Sequence, residues 1–139
     1  MSIFESLLEI KIPFHDLDPM NIVWHGNYIK YLEQARCEMF NEIGYTYYDM
    51  KNDNYAYPIA KMNTKYIQPL EFNQEVIIKT CLEELEPAIR IKYTIYDKNS
   101  KTKVFEAETM QIGVNLQTRQ SVYDAPKNLK NKLGFANEK

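Results

Sequence analysis

The order of the periodic segments constrains the fold of this chain most strongly. Apolar and polar residues alternate over residues 8–14, which is typical of a half-buried strand. Over residues 28–43 the period changes to that of a helix with a wide apolar stripe. A polar, tyrosine-rich connection follows, and then four strand-like segments and a short capped helix. The four segments are residues 57–68, 75–84, 88–97 and 103–115, and the terminal helix is residues 124–133.

One long helix with about five strands predicts an α+β fold. Short connections rich in turn residues join the last three strands, so these strands are expected to form an antiparallel sheet through hairpins. Asn27 is the predicted N-cap of the helix and Gly44 its C-terminal stop. The chain of 139 residues has no internal repeat and no linker. It is therefore predicted to form a single domain over residues 1–139.

The composition excludes several classes of function. The net charge is −2, from 17 basic and 19 acidic residues, so no nucleic-acid partner is expected. The first residues include acids and no segment is apolar over the length of a bilayer, so neither a secretory signal nor an integral membrane segment is expected. Cys37 and Cys81 have no neighbouring Cys or His at metal-ligand spacing. Two free thiols favour a cytoplasmic protein.

The segment between the first strand and the helix carries the candidate chemistry. Asp16 and Asp18 are two residues apart, and Pro19 fixes Asp18 at a turn. His25 comes just before the predicted helix, where backbone N–H groups have no intrahelical partner and lie at the positive end of the helix dipole. A carboxylate, an imidazole and such a helix end together suit acyl-transfer hydrolysis. Thioesters are favoured because a thiol, with a pKa of about 8.5, leaves without a strong general acid.

Two other interpretations stay open on these residues alone. An Asp-x-Asp-Pro segment also forms turns and caps, and a histidine near a helix start is often structural. The same segment contains potential metal ligands. They are His15, Asp16, Asp18 and His25. Because no two histidines share a helix face, a metal site is not expected.

Residues 16–36 resemble a known family as a set. Their pattern is Asp-x-Asp-Pro-x-x-Ile-Val-Trp-His-x-Asn-Tyr-x-x-Tyr-x-Glu-x-Ala-Arg, and Tyr-Ile-Gln-Pro at residues 66–69 adds weaker similarity. The pattern resembles the hotdog-fold acyl-CoA thioesterases of the 4-hydroxybenzoyl-CoA thioesterase class, including the Tol-Pal-associated bacterial branch. This resemblance implies a curved antiparallel sheet of about five strands wrapped around a long central helix. It also implies an enzyme that hydrolyses acyl-CoA to a carboxylic acid and coenzyme A without a metal or cofactor.

The resemblance further implies roles for individual residues. Asp18 takes the position of the catalytic carboxylate, as nucleophile or general base. The backbone N–H of His25 takes the position that polarises the thioester carbonyl, and the His25 side chain assists. Asp16 holds the turn. Three further residues are expected to bind the substrate: Tyr28, Trp24 and Gly26. For Tyr28 a core role is almost as favoured, and Trp24 either walls the acyl pocket or fills the core below it.

The resemblance also implies a homo-oligomer. It is a dimer whose sheets join edge to edge, with the site at the subunit boundary, and commonly a tetramer.

Alternatives remain for the reacting carboxylate and for the function. Glu33 is a reserve carboxylate, although an ion pair with Arg36 three residues later is the favoured interpretation. The main functional alternative is a non-catalytic hotdog module that binds acyl-CoA or an acyl carrier protein. Hydratase chemistry of related hotdog folds is a third possibility.

Overall fold

The computed structural model describes residues 2–135 and contains one long helix against a five-stranded antiparallel sheet. The strands are β1 (Phe4–Lys11), β2 (Tyr55–Ala56), β3 (Ile59–Tyr66), β4 (Glu75–Glu84), β5 (Ile89–Asp97), β6 (Lys103–Gln111), β7 (Gly113–Asn115) and β8 (Ser121–Val122). The helices are α1 (Asn27–Ile43), α2 (Tyr47–Asn52) and α3 (Lys127–Lys132). The main sheet has the spatial order β1-β4-β5-β6-β3. The predicted α+β class and strand number are therefore confirmed.

The apolar stripe of α1 forms the centre of the core together with the sheet. Five residues at helical spacing belong to this stripe, and all five are buried: Tyr28, Leu32, Ala35, Met39 and Ile43. Gly44 ends the helix as predicted, with a φ of +91° that favours glycine. The predicted N-cap is wrong by one position, because Gly26 is the N-cap. Asn27 is the first helical residue, and its side-chain amide donates to the Asp16 carbonyl at 2.9 Å.

Some boundaries differ from those predicted. The first strand covers Phe4–Lys11 rather than residues 8–14, because Pro13 cannot donate to a ladder and a short 3₁₀ turn begins at Phe14. The predicted strand 103–115 divides into β6 and β7, and β7 pairs with β2 and β8 in a second sheet that was not predicted. Helix α2 was also missed; Thr46 and Asp49 form a capping box at its start.

Strand β3 forms one edge of the main sheet and is exposed along most of its length. Its end residues, Ile59 and Tyr66, have large hydrophobic side chains, yet they are 38% and 45% exposed. An edge strand of this kind offers unpaired backbone groups to another strand.

None of the helices formed by residues 2–135 is long and apolar enough to cross a membrane. Cys37 and Cys81 are free thiols, as expected. The cytoplasmic location inferred from them stays a prediction.

Candidate active site

A tight loop between β1 and α1 holds Asp18. Leu17 and Val23 face each other in an antiparallel bridge at the base of this loop. Within it, the N–H of Asp18 donates to the Ile22 carbonyl at 2.8 Å, and the N–H of Asn21 donates to the Asp18 carbonyl at 2.9 Å. Asn21 has a φ of +65°, a conformation that Asn adopts more readily than most residues. The backbone of Asp18 is therefore fixed on both sides.

The carboxylate of Asp18 is half-buried and bound to its own loop. Its Oδ1 accepts hydrogen bonds from the N–H of Met20 at 2.8 Å and, more weakly, from the N–H of Ile22 at 3.4 Å. Both bonds end on the same oxygen, so they leave Oδ2 for a substrate or a water molecule. A carboxylate oriented in this way can serve as a nucleophile or a general base.

The turn that leads into α1 supplies backbone donors. The backbone hydrogen bonds of the turn, among residues 2–135, use the N–H groups of Trp24, Asn27 and Tyr28. They leave the N–H groups of His25 and Gly26 without a backbone acceptor. Because α1 is 17 residues long, its dipole also favours negative charge at this end. The two N–H groups can therefore stabilise an oxyanion.

Asp18, His25 and Tyr28 line one pocket of about 390 Å³. The structure thus brings together three of the residues expected at the site from the sequence. The rest of the lining is mostly apolar. It consists of Met20, Ile22, Val23, Tyr66, Ile67, Gln68 and Pro69. A pocket of mostly apolar walls with one carboxylate and one imidazole suits a small organic acyl group.

Trp24 and Gly26, which were expected to bind the substrate, do not line this pocket. Trp24 is 50% exposed, so it does not fill the core. Its ring lies over Gly26, where an added Cβ would come within 2.1 Å of Cζ3 of the tryptophan. Gly26 itself has an ordinary φ of −67°. A larger residue at position 26 would therefore displace the Trp24 ring. The Trp24 ring also lies beside the His25 ring, 5.1 Å between centroids.

Asp16 connects the loop to α1 from inside the protein. Its side chain is almost fully buried, with Oδ1 2.5 Å from Lys30 Nζ and Oδ2 accepting from the Tyr31 hydroxyl at 2.7 Å. Burial alone would raise the pKa of Asp16, but the hydrogen bonds from Lys30 and Tyr31 hold it below its ordinary value. Asp16 is therefore an ionised structural residue, as expected for one that holds the turn. Among residues 2–135, no three His, Cys, Asp or Glu side chains cluster in a way that would hold a metal ion.

Glu33, the reserve carboxylate, is bound to Arg36 on the same helix, in the ion pair favoured from the sequence. Arg36 is buried, which the sequence did not predict. Its guanidinium also donates to the hydroxyls of Tyr47 at 3.0 Å and Tyr93 at 3.4 Å. Glu33 does not line the pocket that contains Asp18.

The sequence of the chain is similar to those of known thioesterases. Residues 12–133 match the family described as the thioesterase-like superfamily. The chain is 29% identical over 79 residues to YneP of Bacillus subtilis, a segment that covers 57% of each protein. It is 27% identical over 78 residues to acyl-CoA thioesterase YbgC of Helicobacter pylori, again 56% of each protein. The aligned segments therefore cover less than two thirds of these relatives.

A solved structure is similar over most of the chain. The DHNA-CoA thioesterase of Staphylococcus aureus superposes with a TM-score of 0.78, covering 86% of this chain and 80% of that one. The two sequences are 24% identical over this region. At that identity the likeness is one of fold.

Proposed function

The chain belongs to the thioesterase-like superfamily and has its hotdog fold, and we propose that it hydrolyses acyl-CoA thioesters to a carboxylic acid and coenzyme A. One observation carries the proposal: Asp18 lines one mostly apolar pocket together with His25, whose N–H has no backbone acceptor among the described residues. The name of the Helicobacter pylori relative supports it. Within the family, the histidine at position 25 favours the Tol-Pal-associated branch of acyl-CoA thioesterases. Residues 1–139 are taken as a single hotdog domain.

In this proposal Asp18 starts the attack on the thioester. Its free Oδ2 either attacks the thioester carbonyl carbon, giving a mixed anhydride that water opens, or takes a proton from an attacking water. In both routes the C–S bond breaks and coenzyme A leaves as a thiolate. The N–H of His25 binds the carbonyl oxygen as it gains charge, and the exposed side chain of His25 orients the acyl group. Water is the only co-substrate of the reaction.

The walls of the pocket favour a compact acyl group. Tyr28 and Phe105 are almost completely buried, with ring centroids 4.8 Å apart, and Tyr66 packs on Tyr28 at 4.9 Å. Tyr28 and Tyr66 line the pocket, and Phe105 packs against both of these rings. With about 390 Å³, the pocket is near the lower end of ligand pockets, which are roughly 300–1,000 Å³. We therefore propose short aliphatic or single-ring aromatic acyl groups as substrates.

A panel of acyl-CoAs tests both the activity and this size limit. Free thiol release is measured with acetyl-, hexanoyl-, benzoyl- and palmitoyl-CoA. We expect kcat/KM for the best compact substrate to exceed that for palmitoyl-CoA by about 10-fold or more, since methylenes that do not fit the pocket contribute no binding energy to the transition state. Palmitoyl-CoA as the best substrate would show that the aromatic wall does not limit the acyl group.

The exposed edge of the sheet supports a homo-oligomer. We propose that two subunits join through β3, which is exposed along most of its length and ends at Tyr66 in the pocket. The site then lies at the subunit boundary, and two dimers can form a tetramer. Because one chain has a mass of 16.5 kDa, sedimentation equilibrium should give two or four times that mass. A monomer at micromolar concentration would contradict this arrangement.

A further inference from the structure

The hydroxyl of Tyr66 donates a hydrogen bond to the backbone carbonyl of His25, at 3.0 Å. Tyr66 is the last residue of β3, where its backbone pairs with Phe105 of β6. His25 lies just before α1, 41 residues earlier in the chain. This hydrogen bond therefore connects the edge of the sheet directly to the start of the helix.

The ring of Tyr66 is held in place by aromatic neighbours. It packs edge-on against Tyr28 with centroids 4.9 Å apart, and against Phe105 at 5.0 Å. Its third neighbour is the ring of His25, at 6.4 Å and nearly perpendicular. Because the ring has contacts on several sides, the position of its hydroxyl is set by the packing rather than by the hydrogen bond alone.

The start of α1 is anchored to Asp16 through the side-chain amide of Asn27, but it lacks the usual N-terminal caps. Its N-cap is Gly26, no side chain caps the first turn, and no acidic residue lies in that turn. The His25 carbonyl also accepts from the N–H of Tyr28, but at a long 3.3 Å. The hydroxyl of Tyr66 thus supplies the shorter of the two bonds to this carbonyl.

This carbonyl is next to both of the proposed oxyanion donors. It shares a planar peptide unit with the N–H of Gly26, and it belongs to the same residue as the N–H of His25. Fixing the carbonyl restricts the rotation of the peptide unit on which the Gly26 donor lies. A hydrogen bond to a peptide oxygen also polarises the unit and strengthens its N–H as a donor.

We infer that Tyr66 is a positioning residue for the reaction: its hydroxyl holds the helix start so that the N–H groups of His25 and Gly26 stay aimed at the thioester oxygen. The inference rests on the proposed hydrolysis and adds a residue to it. Tyr66 acts through the backbone of His25 and takes no part in bond making.

Tyr66→Phe tests this role because it removes only the hydroxyl and keeps the ring that lines the pocket. Loss of a whole oxyanion donor costs about 100-fold to 1,000-fold in kcat, so loosening two donors is expected to lower kcat by about 10-fold. KM and the Kd of an S-alkyl-CoA thioether, which lacks the thioester carbonyl, are expected to stay within about twofold, because the hydroxyl acts on the site of that carbonyl. Tyr48→Phe, at a tyrosine that is 82% exposed on α2, is the matched control and should leave kcat unchanged.

Replacing Tyr66 with p-aminophenylalanine provides a rescue, since it keeps the ring and restores a donor N–H. Its kcat should return to within about threefold of wild type, and this variant carries the test alone if Tyr66→Phe does not fold. A folded Tyr66→Phe enzyme with kcat within twofold of wild type would overturn the inference, as would a loss that appears only in KM or an absence of rescue. Failure of the wild-type protein to hydrolyse any acyl-CoA would instead remove the proposed function itself.

Discussion

Asp18→Asn is expected to lower kcat/KM for acyl-CoA hydrolysis by about 100-fold or more, because positioned acid-base groups supply at least that factor. The asparagine keeps a side-chain oxygen for the N–H of Met20, so the loop and the unfolding midpoint should be preserved. What it loses is the negative charge and the basic Oδ2. The measurement is the rate of free thiol release from the best compact acyl-CoA.

Glu71→Gln is the matched control for this experiment. Glu71 is an exposed carboxylate whose backbone bridges Ile22 in the same loop, and it does not line the pocket with Asp18. The same loss of charge there should leave kcat/KM within about twofold, because a surface carboxylate makes little difference to a pocket it does not line. If Asp18→Asn retains activity within a few fold, Asp18 is not the reacting carboxylate.

The largest effect on stability is expected at Asp16. Asp16→Ala should lower the free energy of unfolding by about 2–4 kcal/mol, since breaking a buried ion pair leaves its partners without compensation. Lys30 is half exposed and can return to water, but the Tyr31 hydroxyl is buried and would lose its acceptor. Urea denaturation measures the difference. Asp124→Ala, at an exposed aspartate with one long hydrogen bond, is the control and should cost no more than about 0.5 kcal/mol.

The charge of Asp16 also predicts how stability depends on pH. Its pKa is lower in the folded protein than in the unfolded chain, because Lys30 and Tyr31 stabilise the ionised form. The resulting stabilisation is fully present above the unfolded pKa of about 3.9 and is lost as the pH falls through the folded pKa. The difference in unfolding free energy between wild type and Asp16→Asn should therefore be constant near neutral pH and shrink below about pH 4. A difference that does not change with pH would mean that the negative charge of Asp16 does not contribute to the free energy of unfolding.

The parts of the fold with strong periodicity could be predicted from the sequence. Helix α1 and strand β4 have long, regular apolar patterns, and their bounds were predicted to within one residue. Strands β2 and β8 have two residues each, too short for any periodicity, so the second sheet could not be predicted. Both of these short strands pair with β7, which lies between them in the second sheet.

The candidate site also has residues that could be predicted from the sequence and contacts that could not. Asp18 and His25 could be found because they lie close together in one segment with a helix start. Arg36 could not be predicted as buried, because the hydroxyls that accept its hydrogen bonds lie 11 and 57 residues away in sequence. The contact of Tyr66 with His25 spans 41 residues and has no local signal. Contacts of this kind appear only when the chain is folded.

Release of free thiol from compact acyl-CoAs by the wild-type protein is the most direct test of the proposed hydrolysis. We expect catalytic turnover of at least one short aliphatic or aromatic acyl-CoA, with no metal or cofactor added. Tight binding of a non-hydrolysable acyl-CoA analogue by a protein that hydrolyses no thioester would contradict it, and would indicate a binding module instead of an enzyme.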